Sequence, residues 1–115
     1  MSENIIIINT DGSVESRKTS DETMLEDMQK AVDGFIEIVR PFGRPGGDLV
    51  LVVNDCGMIN GMKVNRVASC FYPELLFGPV AIVKEGLRDG EPDLIGLDDD
   101  EAQLMLRLLG GNIDG

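Results

Sequence analysis

Apolar residues come in short, dense runs separated by turn residues, and their spacing divides the chain into strands and helices. Ile5-Ile6-Ile7-Ile8 shows no alternation, which predicts a strand covered on both faces. Asp11-Gly12 then gives a hairpin signal, and Val14 to Lys18 is short and polar enough to be an edge strand. Thr19 is placed to cap a helix, with Glu22 at the capping-box position. Met24, Leu25, Met28, Ala31 and Val32 give that helix one apolar stripe, and Gly34 supplies its stop.

Phe35 to Val39 predicts the next strand. A Pro- and Gly-rich loop, Pro41 to Asp48, joins it to Leu49–Val53 in an antiparallel pair. Leu49–Val53 is an unbroken apolar run rich in β-branched residues, and it is read as the centre of the sheet. The turn cluster Asn54-Asp55-Cys56-Gly57 leads into Met58-Ile59, expected to be a short return strand, before Asn60-Gly61 breaks the chain again. Val67 to Phe71 predicts a short helix ended by Pro73, and Val80 to Lys84 a further strand. Gly86 to Pro92 reads as a charged loop, and Leu94-Ile95 as a brief strand. Asp98 and Glu101 form a capping box for a last helix that buries Leu104, Met105, Leu108 and Leu109 and ends at Gly110-Gly111. Hairpins dominate this order. The expected fold class is α+β, a mostly antiparallel sheet with two main helices packed on one face, the first half β-grasp-like in order (hairpin, helix, strand). Residues 1–115 form a single domain at this length.

Composition changes this picture in two places. Aromatic content is 4%, so the core has to be built from Ile, Val, Leu and Met. The net charge is −11, and it sits at the two ends. Residues 1–34 hold eight acids and three bases, residues 35–84 four acids and five bases, and residues 85–115 nine acids and two bases. Such a surface repels nucleic-acid backbone and anionic lipid, so neither direct nucleic-acid binding nor membrane binding is expected. No run approaches the length of a membrane span or of a signal peptide, and a cytoplasmic protein is expected. Cys56 and Cys70 are expected to be free, since two cysteines without any His make neither a disulfide framework nor a zinc site.

Candidate chemistry is sparse. With no His there is no imidazole base, proton shuttle or ligand. Gly43-Arg44-Pro45-Gly46-Gly47 precedes a strand rather than a helix, so it lacks the helix end that cradles phosphate. Asp98-Asp99-Asp100-Glu101 is accounted for by the capping box rather than by a metal, and Cys56 has no identifiable base or cation to activate it. Asn54, Asn60, Lys63, Asn65 and Arg66 remain as candidate ligand-binding residues. Asn also builds turns, and Lys63 and Arg66 also suit ion pairs with nearby acids. No catalytic residue, metal site or cofactor is assigned.

Val53-Asn54-Asp55-x-Gly57, then Gly61 and Asn65-Arg66, resembles a small family found largely in phages and other mobile elements, catalogued as domain of unknown function 3846. Met28-Gln29-x-x-Val32-x-Gly34-x-Ile36-Glu37 is similar to that family's other block, as are Gly78-Pro79-Val80 and Leu97-Asp98. The family commonly has two glycines after the helix, where this chain has Asp33 before Gly34. The resemblance implies a phage or mobile-element setting, in the host cell cytoplasm, and brings no activity with it. The leading expectation is a non-catalytic acidic binding or regulatory protein acting on a host or phage protein. The alternatives are a binder or sequesterer of a small anionic, nucleotide-like ligand, and a nucleic-acid mimic; an enzyme ranks last. The sequence leaves oligomerisation open.

Overall fold

A computed structural model describes residues 3–41 and 48–110. The elements are β1 (Glu3–Ile8), β2 (Val14–Thr19), α1 (Met24–Val32), β3 (Ile36–Val39), β4 (Leu49–Asn54), α2 (Arg66–Ser69), β5 (Val80–Arg88), β6 (Glu91–Ile95) and α3 (Asp99–Leu108). The strands form one sheet in the order β2-β1-β5-β4-β3, with β6 paired to the far half of β5. Every pairing is antiparallel, so the fold class is α+β as its hairpins indicate.

The central strand is β5, not the Leu49–Val53 run, which lies one place to its side in β4. The first half of β5, Val80–Val83, is as apolar as Leu49–Val53 because both are covered on two faces. Ile5, Ile7, Val50, Val52, Ala81 and Val83 pack on one face against Met24, Met28, Ala31 and Val32 of α1. Ile6, Ile8, Leu51, Val53, Val80 and Ile82 pack on the other against Ala68, Ala102 and Leu106 of α2 and α3. Helices therefore cover both faces, not one, and the missing alternation in Ile5–Ile8 and Leu49–Val53 is the trace of that sandwich.

Several boundaries differ from the sequence expectation for local reasons. Thr19 belongs to β2, paired with Glu3, so the sheet claims the residue expected to cap α1. The helix starts after Thr23, and Thr19 instead donates its hydroxyl to Asp27 at 2.7 Å. Gly86 to Pro92 is not a loop. Arg88 pairs with Glu91 across Asp89-Gly90, both with positive φ, which is the two-residue turn that an Asp-Gly pair favours. Pro92 is accommodated in β6, an outer strand that can spare the N–H. Met58-Ile59 is no strand but an exposed tight turn, closed by Asn60 N–H to Cys56 C=O at 2.8 Å and Met62 N–H to Gly57 C=O at 3.0 Å. In α3 the capping box of Asp98 and Glu101 is present, but Ala102 and Leu106 turn to the core while Leu104 and Leu108 stay exposed. The stretch 42–47 of the Pro- and Gly-rich loop, with its Gly43–Gly47 run, and Gly111 lie outside the described residues.

Candidate functional site

At the β3 side of the sheet lies a cleft of about 440 Å³. Its floor is Val39 of β3, Val53 of β4 and Leu76. Tyr72 and Phe77, from the segment after α2, join Gly57 and Met58 of the turn to form its wall. The wall is tight at Gly57: a Cβ there would stand 2.8 Å from the Phe77 carbonyl oxygen, so only glycine lets the two segments meet. Met58 and Leu75 stand at the rim, 69% and 64% exposed.

Three carboxylates face this apolar floor: Glu37 from β3, Asp55 from the turn and Glu74 from the wall segment. They are three of the four acids in the near-neutral stretch 35–84, brought together from positions far apart in sequence. Among the described residues, none of them is in an ion pair. The field of Asp55 and Glu37 registers on Cys56. Its thiol is pushed up from the ordinary range by its hydrogen bond to Asp55, then by the charge of Asp55, burial and the charge of Glu37. A thiol held protonated is a poor nucleophile. Among the described residues no three Cys, Asp or Glu side chains converge as a metal-binding group, so the carboxylates rim the cleft rather than form a cage.

The residues singled out in the sequence are not gathered in one place. Asn54 is at the cleft, but its amide is engaged internally. It donates to the carbonyls of Val32 and Asp33, each at 3.0 Å, and its oxygen accepts from Cys56 N–H at 2.8 Å. It thereby closes the end of α1 and starts the turn that carries Asp55. Asn65 is completely buried. Its amide donates to Ile8 and Gly78 carbonyls at 2.8 and 3.0 Å, and its oxygen caps α2 by accepting from Ala68 N–H at 3.1 Å. Asn60, Lys63 and Arg66 are exposed, and neither cation makes an ion pair among the described residues. Cys56 and Cys70 are both free thiols. The cleft's acids were missed because nothing in local sequence links Glu37, Asp55 and Glu74; only the β3–β4 register and the Gly57–Phe77 contact join them.

A second groove of about 290 Å³ lies between α3 and the sheet, lined by Leu49, Leu51, Phe71, Ile82, Met105 and Leu108. It offers no charged side chain to orient a ligand, which the first cleft does. No helix among the described residues is long and apolar enough to cross a membrane.

The fold and cleft define an acidic α+β domain with an all-antiparallel sheet sandwiched between helices, its concave site at one end of the strand order. The chain belongs to the family described as domain of unknown function 3846, whose profile matches residues 1–110. No curated protein and no solved structure matches it.

Proposed function

We propose that this chain is a non-catalytic binding or regulatory protein of a phage or mobile element, acting in the host cytoplasm, and that the acidic cleft is where a protein partner is held. The observation that carries this reading is the set of unpaired carboxylates, Glu37, Asp55 and Glu74, around an apolar floor with exposed Met58 and Leu75 at its rim. Exposed apolar side chains beside a charged rim are the composition of an interaction site. The charge selects a cation, so the partner presents Lys or Arg. Each exposed pair contributes modestly, about 0.2–1 kcal/mol, and the apolar contact supplies the remainder.

An NMR titration of amide-labelled protein with lysine amide and arginine amide tests the cation-binding step. Shifts concentrated at Glu37, Asp55 and Glu74, and lost at high salt, are expected. A titration with adenosine monophosphate tests the competing anionic ligand. Shifts there at Lys63 and Arg66, with none at the cleft for the cationic probes, would replace this reading.

A further inference from the structure

The cleft's inner edge is β3, and β3 carries a feature independent of the carboxylates: an unpaired backbone. Among the described residues no strand pairs with its outer side. The register sets Ile36 opposite Asn54, hence Phe35 opposite Asp55, and the Asp55 N–H donates to the Phe35 carbonyl at 3.0 Å. Residues that exchange hydrogen bonds alternate along an antiparallel pair. Glu37 and Val39 therefore bond to β4, while the N–H and C=O groups of Ile36 and Ile38 point outward. The side chains alternate as well. Glu37 and Val39 face the cleft, and Ile36 and Ile38 pack beside α1 on the opposite face.

Resting on the cleft reading, we propose that β3 is extended by one strand supplied by a partner protein, an extended segment in which basic residues alternate with apolar ones. Its backbone completes the ladder at Ile36 and Ile38. Its basic side chains lie on the cleft face beside Glu37, within the field of Asp55 and Glu74. Its apolar side chains continue the row of Ile36 and Ile38 on the other face. Main-chain bonds supply affinity in this mode, and alternate side chains supply choice of partner. Phe35, 74% exposed where the chain enters β3, adds apolar surface for the same segment. A second copy of this chain is a poor occupant. Two β3 strands side by side would set Glu37 near its own image in a protein of net charge −11, and like charges across a strand pair repel.

The probe is a blocked hexapeptide of alternating lysine and valine, with a glutamate–valine peptide as control, read by amide hydrogen exchange. The lysine peptide is expected to slow exchange at Ile36 and Ile38 by about tenfold or more, with Glu37 and Val39, already bonded, changing little. The glutamate peptide is expected to do nothing. Ile38→Pro removes an outward N–H that β4 does not use, so it should abolish protection at Ile36; the lost packing of Ile38 beside α1 should lower the melting temperature while the fold is kept. If that variant does not fold, the wild-type exchange pattern decides alone. Lysine-peptide shifts at the cleft without protection of Ile36 and Ile38 would overturn strand addition and leave the cation-binding cleft standing. Failure of the hexapeptide where lysine amide still shifts the cleft would do the same. Protection of both amides in the free protein, rising with concentration, would assign the edge to a second copy and overturn the proposal.

Discussion

The two outer strands of the main sheet, β2 and β3, solve the same problem in opposite ways. An edge strand exposes unpaired backbone, and proteins usually blunt it with charge. β2 is Val-Glu-Ser-Arg-Lys-Thr, and its charges are engaged within the chain: Arg17 with Glu15 at 2.7 Å and Lys18 with Asp99 at 2.8 Å. Behind it Arg88 gathers Glu3, Asp21 and Asp93. It makes a two-pronged pair with Glu3, and its Nε lies 3.0 and 3.1 Å from the two aspartates, off the line of the N–H. β3 is Ile-Glu-Ile-Val, apolar but for one acid, and the cleft carboxylates around it make no ion pair among the described residues. One edge spends its charge on holding the fold, and the other leaves it available. The difference teaches that in a chain of net −11 the informative acids are those without a partner, not those in the densest runs.

The contrast makes a double dissociation. The largest effect is expected from Glu37→Lys, Asp55→Lys and Glu74→Lys together. Binding of the lysine–valine peptide should fall by more than about thirtyfold, roughly 2 kcal/mol. Stability should change by less than about 0.5 kcal/mol, because surface changes away from packed groups are nearly neutral. Fluorescence anisotropy and urea denaturation read the two quantities. A large loss of stability would show that these acids serve the fold, as those near β2 do.

Arg88→Ala should do the reverse. It strands the half-buried Glu3 carboxylate, so unfolding free energy should drop by about 2 kcal/mol with peptide affinity unchanged. Acid should act on the same side of the molecule. Glu3 is held below its ordinary value of 4.5, chiefly by the Arg88 hydrogen bond, and Asp99 below 3.8 by Lys18 and then Asn4. A carboxyl depressed in the folded state stabilises fully above its unfolded value, and that contribution is lost as pH falls through the folded one. Stability should thus decline as pH drops below about 4.5, and Glu3→Gln should flatten that decline. An unchanged acid limb in Glu3→Gln would remove Glu3 from this account.

What the sequence made legible follows from how local each signal is. Ile5–Ile8, Leu49–Val53 and Val80–Lys84 announced themselves as buried strands, and Asp98 with Glu101 as a helix start, because each signal is complete within a few residues. Sheet order was not legible, since β4 and the first half of β5 are both unbroken apolar runs and only their pairing distinguishes them. The Asp89-Gly90 hairpin was written in the chain but masked by the charges and Pro92 around it. Asn65 looked like a ligand contact and is a buried cap, since burial cannot be read from a lone Asn. The cleft was out of reach for the reason already seen: its acids meet only in three dimensions.

The smallest effect concerns the joint between α1 and β3. Asp33 takes the left-handed conformation, φ 60 and ψ 48, a region that favours glycine. Asp33→Gly should therefore raise stability by up to about 1 kcal/mol without touching peptide affinity, the β-carbon strain being relieved. A loss of stability in thermal melts would show that the Asp33 side chain contributes more than its backbone costs.

The most direct measurement is the affinity of the lysine–valine peptide across a salt series, for the wild type and for Glu37→Gln with Asp55→Asn and Glu74→Gln. If the cleft is the cation site of an open edge, wild-type affinity should fall steadily with salt, because exposed charges are screened beyond about 10 Å at 0.1 M. The neutralised protein should bind more weakly at low salt, and its affinity should barely respond. Equal affinities with equal salt dependence in the two proteins would contradict the account, since the attraction would then come from acids elsewhere.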